Sequence, residues 1–389
     1  MYQEITDYFK QLSLQLINGC KSTAYDGTCL YTPDGISSYN ALWIRDFSYM
    51  VEYAGFAIPD EDVIGCIEYS IRHKRADGWM PDRTYGNGTG VYAAGEAGAP
   101  IGEANLDNTP FLIFTVYCLL QRQKELSSDA AALFGTWEPD LTAGMELIPL
   151  SPQGLVYNDP NCPHSPYGFT DTVCKTGELF MESLLFWRAC RMMASLCQTF
   201  HTGPSLFYQE KAAKIEQNIH SLFQDKAGAF LAASKDCSQL DIWGNAYLLY
   251  IDFPCRDSVR QSILHFLTAN CGQFLYHGQV RHLLQGEYWD RLLIEVPQET
   301  YQNGAYWATA TGWIIWCLAQ KDFALAANAL TAAAAYFKEQ GSFECVNENY
   351  QKLDSMVVSA TNIYGGALRL QEFPEFIAFL DQTCSLHEG

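Results

Sequence analysis

Positive charge is scarce in this chain: 24 Lys and Arg stand against 44 Asp and Glu in 389 residues, a formal net charge of −20. So acidic a protein repels DNA, RNA and anionic lipid unless a basic patch is set into its surface, and here Lys and Arg are scattered without a run. No nucleic-acid or membrane partner is expected. No stretch reaches 18 uninterrupted apolar residues, so no membrane-spanning helix is expected. The opening MYQEITDYFKQLSLQLINGC lacks the basic flank, continuous apolar core and small-residue cleavage site of a signal peptide. A cytoplasmic location follows as the expectation, and the sequon Asn87-Gly88-Thr89 carries no weight. The fourteen cysteines include no CxxC pair; Cys118, Cys190 and Cys317 sit inside apolar helical runs and read as small buried hydrophobes in a reducing compartment. HExxH, a phosphate-cradling glycine loop and GxSxG are all missing, as is any repeat of fixed period.

What is plentiful is apolar and aromatic residue: 48% and 14% of the chain, ample for a large core. Helical spacing recurs from residue 3 to about 18, where Ile5, Tyr8, Phe9, Leu12 and Ile17 share a face, and again along most of the chain. Two short patterns fall between 126 and 148, and a longer one covers 305–320. Few segments alternate as strands do. A loop from Ser151 to Lys175 is long for a compact domain, as binding or lid segments often are. Twelve or thirteen helices in sequential hairpins are the count for a double ring, six inside and six outside. The expectation is an all-α (α/α)6 toroid, one catalytic domain over 1–389 with long loops meeting over one end.

The segment from residue 96 to 121 joins a Gly/Pro-rich stretch holding Glu103 and Asp107 to Asn108, Thr109, Pro110 and a run apolar on every side. Pro110 suits a first helical turn, so a carboxyl group stands at the mouth of a buried helix. Asp107 can be an ordinary cap, or it can project into a cavity as a general acid whose pKa an apolar wall has raised. Elsewhere aromatic and polar side chains coincide at helix entrances: Trp43 with Arg45 and Asp46, Trp79 with Asp82 and Arg83, Tyr167 with Asp171, Trp289 with Asp290 and Arg291, and Tyr301, Gln302 and Asn303 with Tyr306 and Trp307. Sugars present apolar ring faces edged with hydroxyls, and their sites combine aromatic platforms with carboxylates, amides and guanidinium groups. A carbohydrate ligand is therefore expected.

GSFECVNENYQKLDS places Glu344 and Glu348 on a Gly/Asn-rich loop after an Ala-rich helix. Glycoside hydrolysis needs one acid to protonate the leaving oxygen and a second carboxylate beside it. Cys162, His164, Asp171 and Cys174 are ligand types within one loop, but their spacing matches no familiar zinc motif. Neither metal nor cofactor is expected. His164 and His277 are the histidines placed nearest a pocket.

WIRDFSYM, NLDNTPFL, GELFMESLLFWRA, YQNGAYW and SFECVNENY occur in the order seen in the six-hairpin, double-α-ring glycosidases, which the chain resembles over about residues 40 to 370. These include glucoamylases, trehalases, processing α-glucosidases, α-rhamnosidases and alkaline invertases. The resemblance implies an inverting glycoside hydrolase with Asp107 as proton donor and Glu344 as base. Arg45, Asp46, Gln302 and Asn303 would hold the sugar, with Glu348 a rival for the base and Glu178 or Glu103 for the acid. Ala305 in place of a second glycine, and the missing Trp-Pro before the late glutamate, depart from the invertase pattern and point away from sucrose. A sugar epimerase or unsaturated-uronide hydrolase of the same architecture, or a carbohydrate-binding protein without turnover, are the alternatives.

Overall fold

A computed structural model describes residues 1–96, 99–122 and 128–385. Thirteen α-helices lie among them: α1 (Tyr2–Gly19), α2 (Ile44–Ala54), α3 (Asp60–Arg72), α4 (Asn108–Arg122), α5 (Ser128–Glu146), α6 (Phe180–Phe200), α7 (Ser205–Asn218), α8 (Ile242–Tyr250), α9 (Asp257–Phe274), α10 (Thr311–Ala319), α11 (Phe323–Gln340), α12 (Val357–Arg369) and α13 (Pro374–Ser385).

The even-numbered helices close a ring, α2 on α4, α4 on α6, α6 on α8, α8 on α10, α10 on α12 and α12 back on α2. Each odd-numbered helix from α1 to α11 packs outside a neighbour in that ring, and α13 lies against α1 and α11. This is the expected (α/α)6 toroid. The sequence reason is plain. A helix apolar on every side can only be interior, and all nine residues of α8 and all nine of α10 are buried. Outer α1 instead buries one stripe, Tyr2, Ile5, Phe9 and Ile17 among it. Where α10 meets α12 a side chain would not fit: a Cβ on Gly366 would lie 2.2 Å from the Cα of Gly312.

Because an outer helix returns the chain after each inner one, the six inner helices run the same way and the segments entering them gather over one mouth. Here the structure departs from a purely helical reading. Small antiparallel sheets brace the entrances, among them a five-stranded one made of Leu275–Tyr276, Gln279–Val280, Tyr306–Trp307, Phe343–Asn347 and Tyr350–Asp354. These strands are too short for alternation to stand out. The helix expected over 305–320 begins only at Thr311, since Tyr306 and Trp307 are spent on pairing with Val346 and Cys345. The two patterns between 126 and 148 form one helix that continues through Pro139; the first two of those positions lie outside the described residues. Every cysteine with a described side chain is a free thiol. No described helix is long and apolar enough to cross a membrane.

Candidate active site

The strand Ala41–Trp43 leads directly into α2 and pairs with Arg83–Tyr85, setting Trp43 opposite Arg83. The Arg83 guanidinium lies over the Trp43 ring, 4.6 Å from its centroid. One residue into α2, Arg45 is buried and surrounded by acceptors: its Nε donates to Asp107 Oδ2 at 2.7 Å, and its Nη2 donates to Asp82 Oδ1 and, at 3.3 Å, to Asn108 Oδ1. Asp82 also accepts from Arg83 at 2.7 Å and from Asn105 at 2.9 Å. Charges so far from water persist only when paired and hydrogen-bonded; every charge here is paired, but Asp107 Oδ1 and Arg83 Nε are buried without a hydrogen-bond partner.

A small pocket of about 40 Å³ opens above it, lined by Tyr39, Trp43, Arg45, Asp46, Asp171 and Glu344 together with Pro33, Gly168, Phe169, Tyr301 and Met356. Asp107 does not line it. Arg45 and the Gly168 N–H, which donates to Asp107 at 2.9 Å, occupy its one bonded oxygen, and its side chain is 0% exposed. The cavity-facing carboxylate expected at Asp107 thus sits one layer down, while Asp171, expected only to touch substrate, is on the wall.

One amide and two loops hold the wall. Gln302 accepts from Thr172 N and Oγ1 and donates to Asp171 Oδ1 at 2.8 Å, so its own amide orientation is fixed before it reaches the carboxylate. Across the pocket Glu344 projects from the strand Phe343–Asn347. The Tyr39 hydroxyl contacts both its oxygens at 2.9 and 3.1 Å, Tyr301 approaches at 3.4 Å, and Lys352 Nζ lies 3.6 Å away. Tyr39 is aimed by a turn in which Asp34 collects the N–H groups of Ile36, Ser38 and Tyr39 itself.

Burial dominates the acidities. It pushes Glu344 up to about 7 against the opposing pull of Lys352 and the Tyr39 hydrogen bond. It raises Asp171 to about 6, against Gln302 and Arg45. Asp46, whose Oδ1 is buried without a partner, is raised to about 7, with Arg45 opposing and Glu344 adding. Burial also raises Asp107, and Arg45 works against it. The lining therefore offers two raised carboxyl groups from loops far apart in sequence, with a third beside them, able to give and take protons near neutrality.

Other expected positions fall elsewhere. Asp82 and Arg83 support the floor. Trp79 is buried against His164, Trp307 is in the core, and Trp289 donates to the Gln302 carbonyl from a small second core. Asn303 accepts from Trp289 N and donates to Val296 O, so it braces its loop rather than the pocket. Glu178 is in a two-residue strand paired with Tyr157–Asn158, Glu103 pairs with Arg75, and Glu348 is exposed at the hairpin tip. None of these lines the pocket. His164 Nδ1 meets the Ala104 carbonyl and His277 is exposed, and neither histidine lines this pocket. Among the described residues no three His, Cys, Asp or Glu are grouped to hold a metal. Tyr39, Phe169 and Lys352 were not singled out by the sequence; Tyr39, four residues ahead of Trp43, carried the only signal, an aromatic beside an aromatic entrance.

No protein-family model matches the chain, and no curated protein matches it in sequence. Solved structures do. The GH63 mannosylglycerate hydrolase from Thermus thermophilus in complex with glucose superposes with a TM-score of 0.64 at 13% identity, over 92% of this chain and 99% of that one. A rhamnosidase from Klebsiella oxytoca with rhamnose bound gives 0.66 at 11% identity, over 95% of this chain and 64% of the other. With the closed double ring, these likenesses show that the chain has the (α/α)6 fold that those two glycosidases share.

Proposed function

We propose that this protein is an inverting glycoside hydrolase that removes a single neutral sugar residue, with Asp171 as general acid and Glu344 as general base. The observation that carries the reading is that these two carboxyl groups, brought from separate loops, line one pocket and are both raised toward neutrality by burial. Asp171 would protonate the departing oxygen, and Glu344 would take a proton from a water attacking the opposite face of the ring, which inversion requires at a carboxyl separation of roughly 6.5–9.5 Å. Asp107 is the donor that motif order alone suggests. Access favours Asp171, because a general acid must come within hydrogen-bond reach of the leaving oxygen. Asp107 then acts beneath the site by fixing Arg45.

The pocket is tight, about 40 Å³ and well below the usual range of ligand sites, about 300–1,000 Å³, so it favours a single ring over a chain and its walls must part to admit that ring. Three carboxyl groups face it, and the hydrogen bonds of Arg45 run to Asp107, Asp82 and Asn108, which favours a neutral residue over a uronic acid. Trp43 and Phe169 would take the apolar ring face, and Asp46 with its unpartnered oxygen would accept a hydroxyl. An epimerase commonly moves its proton with histidines, and none lines this pocket. The test is a panel of α- and β-linked nitrophenyl glycosides and neutral disaccharides, with proton NMR to read the first-formed anomer. Release of a monosaccharide of inverted configuration is expected; an isomerised but uncleaved product, or retention of configuration, overturns the reading.

A further inference from the structure

We infer that the margin of the five-stranded sheet carries a second carbohydrate-binding site, a cleft beside the Tyr276–Gln279 turn that takes a neutral oligosaccharide chain. The cleft is open, about 500 Å³, and formed where α11 meets the tip of the 343–354 hairpin; Tyr276, His277, Tyr336, Asn347, Asn349 and Tyr350 line it. No residue that lines this cleft also lines the pocket at Glu344. This is therefore a site apart from the pocket.

The aromatic rings form a continuous row. His277 stacks on Tyr336 at 30° with centroids 4.9 Å apart, meets Tyr276 edge-on at 4.3 Å, and Tyr276 lies 5.3 Å from Tyr306. Tyr276, Tyr336 and Tyr350 are half-buried and His277 is exposed, so these rings are partly open to solvent instead of filling the core. The row is held rigidly. Tyr276 pairs with Gln279, leaving His277 and Gly278 as a two-residue turn with φ of 47° and 74°. Both central residues of such a turn need positive φ, which Asn-Gly supplies at least cost. A histidine there is strained, and what it contributes that asparagine would not is the ring stacked on Tyr336. The turn is seated hard against α11, where a Cβ on Gly278 would fall 2.4 Å from the Ala329 carbonyl oxygen.

Ring faces with amides at their margin are the surface that suits pyranose rings edged with hydroxyls. The lining contains no Lys or Arg, and Glu339 and Glu348 stand at the rim, so an anionic glycan would be repelled. A second cavity of about 420 Å³, which shares Asn347, Asn349 and Tyr350 of the same tip and is also lined by Gln285, Glu299, Thr300 and Tyr306, extends the surface beyond the span of one sugar.

The test is native electrophoresis of the full chain through gels containing soluble starch, galactomannan, xyloglucan or mixed-linkage β-glucan, with polygalacturonate as the anionic control. Retardation in at least one neutral gel and none in polygalacturonate is expected. Tyr336→Ala and His277→Asn should each abolish it, the second without loss of melting temperature because asparagine is favoured at that φ. Trp43→Ala, in the pocket, should leave it intact. The inference is overturned if no neutral polysaccharide retards the protein, if both cleft variants migrate like the parent, or if Trp43→Ala alone removes the effect. Hydrolysis is scored separately by the anomer assay, so either conclusion can stand without the other.

Discussion

Arg45 bonds Asp107 at 2.7 Å and lines the pocket that Asp107 does not. The two residues are 62 positions apart, and their contact turns a carboxylate at the mouth of a buried helix into part of the floor. Asp107→Asn should therefore lower stability, by about 3–5 kcal/mol if Arg45 is left a buried charge short of a partner, while the pH profile of any residual kcat/KM keeps its shape. Asp171→Asn should lower kcat by about 10²–10⁴-fold with little change in melting temperature. Chemical denaturation and steady-state kinetics on the two variants check this; the reverse pattern returns the donor role to Asp107.

The pH profile of kcat/KM should be a narrow bell. On the proposed assignment Glu344 must be ionised and Asp171 protonated; because Glu344 at about 7 lies above Asp171 at about 6, that form is a minority species that peaks between the two, near pH 6.5, where the reverse protonation dominates. The limbs belong to the coupled pair rather than to either residue alone. Lys352→Met removes the strongest influence holding Glu344 down, so the bell should move to higher pH, and Lys352→Arg should restore it. Rate measurements between pH 4.5 and 9 decide it.

Stability should depend on pH through the same groups. Asp46, Asp171 and Glu344 all have folded values above their unfolded ones, so the native state binds more protons between about pH 4 and 7. Their contribution is present in full below about pH 4 and is lost as pH rises through 6 and 7. Glu344→Gln should accordingly be more stabilising at pH 8 than at pH 5, by on the order of 2–3 kcal/mol at about 1.4 kcal/mol per pKa unit. Calorimetry at the two pH values tests the sign.

Gly168 leaves space that Arg45 fills: a Cβ there would lie 1.9 Å from the Arg45 Nε. Gly168→Ala should cost about 1–3 kcal/mol through overpacking and lower kcat more than its stability loss explains, since Arg45 and the wall move together. A variant with normal turnover would show that Arg45 can yield without consequence.

The ring of helices was legible because interior helices are apolar on all sides, as the runs that became α4, α8 and α10 are. Spacing could also bring Glu344 forward, on its loop after a long helix. Direction was not legible. Trp79, Trp289 and Trp307 stand at entrances in sequence just as Trp43 does, yet three of them turn inward, and only a fold decides which way a ring at a junction faces. The Tyr39 contact with Glu344 spans 305 positions and has no local signature. Asp107 and Asp171 both precede apolar helical runs in loops rich in turn residues, and what separates them is Arg45, contributed by a third segment.

The common direction of the six inner helices has an electrical effect of its own. Each amino end carries roughly half a positive elementary charge in its exposed amides, and all six are turned toward one opening. That potential opposes the burial that raises Asp46, Asp171 and Glu344, and because the backbone supplies it, it stays in place whatever residues the entering loops carry.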